Sequence, residues 1–297
     1  MENQHNKNSS TTLQDLRSEI DKIDNQMIDL LGQRMAIVSR VGELKKNNNE
    51  KFFIKSNREA DMIKDLIKKS HSNFPKSAIV NIWRKIITAA NMHEQPLNIA
   101  IHNPKNISDY AYLVKEYYNM EVPISFHDSV ATIAIEMEKG ETQIGIFALP
   151  LARDDNSDKS DFSENWWINL ANNKLGIKIF AKIPFVDSDK VKVFDKIDLV
   201  AVAIKEAEKS SDDNSLIYIE VDKEISKSQV LSALKESGLE AKILKSVKSP
   251  QVENIIFNLV ELRGFFLESD EVLKQFSKSK IRPFVKVLGS YAVPIKI

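Results

Sequence analysis

An arginine interrupts an otherwise apolar stripe in the first part of this chain. Leu16, Ile20, Ile23, Met27, Leu30, Arg34, Ile37, Val41 and Leu44 recur at alternating steps of four and three, which is the seam of a heptad helix. Lys45 follows Arg34 by three helical turns and falls on nearly the same face. Taking a guanidinium out of water is costly unless an anion meets it. Two cations on an apolar side therefore predict that something negative meets them, either a ligand or a structural salt bridge. Arg17, Lys55, Arg58, Glu59 and Glu94 add further charged groups to the same region, and the question is whether they converge on one site.

The elements that must position these residues are helices. Residues 13–46 read as one helix of about 50 Å at 1.5 Å per residue, too long to be stabilised by a small domain folded on itself. It calls for a partner helix. "NNNEK" breaks it, and "SNREADMIKDLIKKS" starts a second helix, with Ser56 and Glu59 in the S-x-x-E pattern of a capping box. A third helix lies in "FPKSAIVNIWRKIITAANMHEQP", with Ile79, Trp83, Ile86, Ile87 and Ala90 as its apolar stripe and Pro96 as its stop.

After Pro96 the period changes. "LNIAIH", "VPISF" and "TQIGIFAL" are short strand-like runs separated by the helical patterns "ISDYAYLVKEYY" and "SVATIAIEMEKG", the alternation of a small α/β layer. Residues 151–164 and "KSSDDNS" at 209–215 are polar, acidic stretches that read as linkers. Between them stand Trp166 and Trp167, a pair of the kind more often found in a core than on a surface. From Leu216 the order strand, helix, strand, strand, helix, strand is the βαββαβ plait of ferredoxin-like domains. The boundaries are a disordered tail at 1–12, helices at 13–96, an α/β region at 97–208 and the plait at 214–297.

Composition narrows the classes. With 297 residues and 42% hydrophobic content the chain can build two or three cores. Forty-two basic residues balance forty-two acidic ones, so no global field recruits nucleic acid or an anionic membrane. Without cysteine there is no thiolate nucleophile and no cysteine zinc site, and the five histidines form no ligand-spaced pair. No metal is expected. The first dozen residues lack a signal-peptide core and no run approaches a membrane span, which makes the cytoplasm the expected location.

Over residues 13–96 the chain resembles the all-helical, AroQ-type chorismate mutases. The resemblance rests on "LRSEIDKIDNQMIDLLGQRMAIVSRVGELKK", "NREADMI" and "IWRKIITAANMHEQ". It implies a three-helix domain that forms an intertwined homodimer and rearranges chorismate to prephenate. That reaction is unimolecular and pericyclic, so it needs no cofactor. A protein accelerates it by holding a compact substrate conformation and aiming donors at the ether oxygen, where negative charge develops. The resemblance implies that Arg34 and Arg17 hold the substrate carboxylates, with Arg17 supplied across the dimer interface. It implies that Lys45 donates to the ether oxygen, that Glu59 accepts from the ring hydroxyl and that Arg58 helps to position substrate.

Three positions depart from the family pattern. Lys55 stands where an acid is frequent, which alters hydroxyl recognition. Ala90 stands where a hydroxyl residue is frequent, which removes one hydrogen bond. Glu94 stands where glutamine is frequent, and a glutamate can donate to the ether oxygen only when protonated. Activity is then expected to fall as pH rises.

Residues 97–150 and 190–297 distantly resemble prephenate dehydratase with its regulatory ACT domain, through "VPISFHDSVATIAIEMEKGETQIGIFALP" and "VKVLGSYAVP". The family's Thr-Arg-Phe signature would fall at "KIDLVAVAI" and is absent; its regulatory Glu-Ser-Arg-Pro signature is replaced by "LKSVKS". The expected architecture is multidomain α and α/β, with a degenerate dehydratase-like lobe and an ACT-like plait behind the helices. The leading expectation is a chorismate mutase. A bifunctional mutase and dehydratase, or a binding protein that keeps the mutase fold, are the alternatives.

Overall fold

The computed structural model describes residues 11–50, 52–70, 73–150, 165–187, 197–249 and 252–296. Most of the expected tail and all of the expected linker at 151–164 lie outside the described residues. The chain divides into two compact units, Met1–Glu50 and Lys51–Ile297.

The described part of the first unit is built on one helix, α1 (Leu13–Asn47). Thr12 caps it: its hydroxyl accepts from the Asp15 N–H at 3.1 Å, while the Asp15 carboxylate accepts from the Thr12 N–H at 2.9 Å, a reciprocal capping box. Lys45 and Lys46 occupy the last turn, where cations favour the helix dipole. The heptad seam is a surface of this chain. Ile20, Ile23, Met27, Leu30, Ile37 and Leu44 are each more than half exposed. Arg34, expected on a buried stripe, is half-buried, because the seam it interrupts is not a core within one chain.

The second unit begins with α2 (Ser56–Lys69) and α3 (Lys76–Glu94). There follow β1 (Ile99–His102), α4 (Asp109–Tyr117), β2 (Ile124–His127), α5 (Val130–Lys139) and β3 (Ile144–Ala148). Next come α6 (Trp166–Ala171), β4 (Ile177–Ile183), β5 (Val186–Asp187) and β6 (Leu199–Ile204). The chain then runs through β7 (Asp213–Asp222), α7 (Lys227–Glu236), β8 (Ala241–Lys248), β9 (Ile255–Arg263), α8 (Glu271–Ser277), β10 (Phe284–Ala292) and β11 (Ile295–Lys296). The β7-α7-β8-β9-α8-β10 series is the βαββαβ order expected from the sequence.

One nine-stranded sheet runs through this unit in the order β2-β1-β3-β6-β4-β10-β7-β9-β8. β1 lies parallel to β2 and β3, and β6 runs antiparallel to β3 and β4. The α/β strands meet the plait where β4 pairs with β10, and that pairing is a single register position, Gly289 opposite Ile179. Gly289 has φ +140°, and a Cβ there would lie 2.2 Å from the Ile179 carbonyl oxygen. Only glycine permits that backbone approach.

Alternation along the plait strands explains why the unit has two cores. Ile217, Ile219, Val260, Leu262 and Val287 face α7 and α8, where Leu234, Leu273 and Phe276 complete one cluster. Leu216, Tyr218, Leu259 and Leu288 face the other way, into a larger core shared with the α/β strands, α2 and α6. Trp166 and Trp167 of α6 are both buried there. Trp166 donates to the Ala148 carbonyl at 2.7 Å and stacks on Phe147, while Trp167 packs beside Tyr218. "KSSDDNS", expected as a linker, is a bonded segment that runs into β7: Asp213 accepts from the Ser210 N–H at 2.8 Å, and both residues are buried.

Helix α2 is fastened to this body. Ser56 donates to the Phe180 carbonyl at 2.8 Å, Asn57 to the Lys209 carbonyl at 2.9 Å, and Asp61 accepts from the Ser211 N–H at 3.1 Å. Lys55 pairs with Glu208 at 2.9 Å, and Lys205, set against the rings of Phe52 and Phe180, pairs with the other oxygen of Glu208 at 3.0 Å. Burial alone would raise the Glu208 carboxyl, but the hydrogen bonds from Lys55 and Lys205 outweigh it and hold the group below the ordinary carboxylate range. Burial pushes the Lys205 ammonium down.

Two outcomes follow for stability. Gly289→Ala forces a side chain into the β4–β10 contact and is expected to cost at least about 3 kcal/mol, read from the urea midpoint; a midpoint unchanged from wild type would contradict the close approach. Glu208→Gln leaves Lys205 buried without its ion partner and is expected to cost about 1 to 3 kcal/mol at neutral pH. Because the folded carboxyl titrates below its unfolded value, its contribution is complete above the ordinary 4.5 and is lost as pH falls through the lowered value. The gap between variant and wild type should therefore close in acid, and a gap constant down to about pH 3 would refute the assignment.

Candidate functional site

The charged residues singled out from the sequence fall in both units. On α1, Arg17 is exposed, and Arg34 and Lys45 are half-buried. In the second unit, α2 carries Arg58 exposed and Glu59 half-buried, with Lys55 at its N-cap, while α3 carries Ala90 and Glu94 buried near its C-terminal end.

Glu59 is not the capping partner of Ser56. Lys55 occupies the N-cap with no side-chain cap bond, and the Ser56 hydroxyl is committed to Phe180. The Glu59 carboxylate turns instead toward α3, where each oxygen receives one donor. Arg84 donates from Nη1 to Oε2 at 3.1 Å, and Asn91 donates from Nδ2 to Oε1 at 3.0 Å. Two fixed donors on one carboxylate set the plane in which its remaining lone pairs can accept.

Among the described residues of this unit's helices, Arg84 is a buried cation. Its residue is 5% exposed, its guanidinium carbon lies 3.8 Å from the centre of the Tyr117 ring on α4, and Phe185 lies farther off at 5.9 Å. Burial opposes its charge, but the neighbouring groups outweigh it, among them the Glu59 carboxylate that accepts its hydrogen bond, and hold the guanidinium above its ordinary value. Burial raises the phenols of Tyr117 and Tyr118, so both stay neutral. The arrangement joins α2, α3 and α4 through one planar group: an edge toward a carboxylate and a face on an aromatic ring.

Sequence reasoning missed Arg84 and Asn91 because the buried face of α3 is rotated from the expected stripe. Trp83 and Ile86 are only half-buried, and the buried line is Val80, Arg84, Ile87, Asn91 and Glu94. Those residues are spaced by alternating fours and threes, so the signal was an arginine and an asparagine on a heptad seam, the same signal that marked Arg34. Lys55 was expected to face substrate; its ammonium is engaged by Glu208.

At the place of the missing dehydratase signature stands β6, whose residues Leu199, Val200, Ala201, Val202 and Ala203 are all buried. That strand contributes packing and no polar side chain. A small cavity of about 220 Å³ nearby is lined by apolar residues such as Ile133, Met137, Phe147 and Val202, with Asn169 and Asn173. Among the described residues no group of histidines and carboxylates is placed to hold a metal ion, and no helix is long and apolar enough to cross a membrane.

Residues 16–95 match the family described as Chorismate mutase type II. The bifunctional chorismate mutase/prephenate dehydratase of Aquifex aeolicus (strain VF5) is 25% identical over 138 residues, 45% of this chain and 38% of that protein. The protein of the same description from Stutzerimonas stutzeri is 25% identical over 109 residues, 35% of this chain and 30% of that one. The chain thus spans less than two fifths of the length of these relatives. Among solved structures, prephenate dehydratase from Streptococcus mutans aligns with 68% of this chain and 100% of its own, at a TM-score of 0.44 and 13% identity. It is thus the N-terminal part of this chain, residues 16–95, that is similar to the chorismate mutase type II family.

Proposed function

We propose that this protein is a chorismate mutase acting without a cofactor, and that its substrate is chorismate. The observation that carries the reading is the family match over residues 16–95, inside which Arg17, Arg34, Lys45, Lys55, Arg58, Glu59 and Glu94 all lie.

Chorismate carries two carboxylates and an ether oxygen. Arg34 and Arg17 bind the carboxylates and select the compact conformer, and Lys45 donates to the ether oxygen as the bond to it breaks. Glu59, already ordered by two donors, accepts from the ring hydroxyl. Arg58 supports substrate binding from the exposed side of α2. The exposed seam of α1 supports the homodimer: eight apolar residues at heptad spacing are covered when a second copy pairs along it. In that assembly Arg17 serves the partner's substrate. The names of the curated relatives favour a second activity, dehydration of prephenate, whereas the wholly apolar β6 counts against it.

The experiment is an assay of chorismate loss by the purified chain, with prephenate and phenylpyruvate quantified separately. Prephenate is expected to accumulate. Lys45→Ala should lose about 2.7 to 4 kcal/mol of transition-state stabilisation, and Arg17→Ala should also be impaired. Mixing the two variants and allowing exchange should restore about a quarter of the wild-type sites, since half of the dimers are mixed and each holds one intact site. No restoration would remove the shared-site reading, and no prephenate from folded wild type would remove the mutase reading. Phenylpyruvate at neutral pH would establish the bifunctional reading instead.

Glu94 gives a separate outcome. A carboxyl donates to the ether oxygen only in its protonated form, so turnover should decline from acidic to neutral pH. Glu94→Gln supplies an amide donor at every pH and should flatten the profile of kcat/KM. A decline that survives the substitution would show that another group sets it.

A further inference from the structure

Glu59 sits on a half-buried helix face, where a free carboxylate could adopt several orientations. It does not have that freedom here. Arg84 holds Oε2 and Asn91 holds Oε1, and Arg84 is itself enclosed by protein, with its guanidinium carbon over the Tyr117 ring, 3.8 Å from the centroid. Its Nε is buried with no hydrogen-bond partner among the described residues. A guanidinium with one N–H unsatisfied is a poor way to fill space, yet it is a good way to fix the direction of one carboxylate, because a planar group enclosed against a ring has little freedom to turn.

We propose that Arg84 is a positioning residue for the mutase reaction: it aims the Glu59 carboxylate at the substrate's ring hydroxyl, and Tyr117 of α4 holds Arg84 in place. The inference rests on the mutase reading of the helices. It gives the α/β region a role in that reaction, since the ring beneath Arg84 belongs to α4, beyond the residues of the matched family. Asn91 supplies the second restraint on the same carboxylate.

The test is a double-mutant cycle in the full-length protein, with kcat and KM for chorismate measured beside thermal unfolding. The set is wild type, Glu59→Gln, Arg84→Met, Arg84→Lys and the Glu59→Gln/Arg84→Met pair. Loss of a hydrogen bond made in both ground and transition states raises KM. Arg84→Met is expected to raise KM by about tenfold or more with a smaller change in kcat. Arg84→Lys, which donates but cannot stack as a plane, should recover part of the loss. In the double variant the Arg84 substitution should add almost nothing to the effect of Glu59→Gln, because its route of action is gone.

Multiplying losses in kcat/KM, or a lowered unfolding midpoint with KM unmoved, would overturn the proposal and leave Arg84 a structural ion-pair member. If Arg84→Met does not fold, Arg84→Lys and Tyr117→Leu carry the same cycle against Glu59→Gln with the same two outcomes. Wild type that folds and does not convert chorismate would be a failure of the mutase reading itself, and the proposal would fall with it.

Discussion

The second unit depends on one close backbone approach, Gly289 against Ile179. Strands β4 and β10 pair at that position alone, and it is where the α/β strands and the plait become a single sheet. A sheet edge presents a row of unpaired donors and acceptors, so joining the two sets of strands removes an edge from each. The joint also explains the bulge in β10 between Val287 and Gly289, since the strand must satisfy β7 on one side while approaching β4 on the other. Without a glycine, the carbonyl of Ile179 would collide with a side chain.

From that joint follows the placement of α2. The face of the plait that does not meet α7 and α8 is apolar and must be covered. Helices α2 and α6 cover it, with Trp167 against Tyr218 and α2 packed on β4 and β10. Polar contacts at the start of α2 then fix its axis: Ser56 to Phe180, Asn57 to Lys209, Asp61 to Ser211, and Lys55 to Glu208. Glu59 projects from this anchored helix toward α3. Its geometry is thus inherited from the sheet as much as from the helices.

The charges follow one rule at different depths. Lys205 and Arg84 are taken out of water, and each is met by a carboxylate and by aromatic faces. Ion pairs of this kind contribute little net stability against an apolar substitute, but they are costly to break from one side. Their value lies in direction. Lys205 fixes Glu208, which fixes Lys55 at the head of α2, and Arg84 fixes Glu59.

Much of this was legible in the chain itself. The heptad seam with Arg34 in it, the change of period at Pro96 and the βαββαβ order from Leu216 are local patterns, and local backbone geometry imposes them. The paired tryptophans also behave as their size dictates. The partners of the candidate residues were decided elsewhere. Glu59 meets Arg84 and Asn91 across 25 and 32 residues of sequence, and Lys55 meets Glu208 across 153. The capping box at Ser56 and Glu59 was a sound local option that lost to these contacts, because burial on the sheet gave Ser56 a carbonyl and gave Glu59 two stronger donors. Periodicity tells which face of a helix is apolar; only packing tells which neighbour a polar group on that face must satisfy.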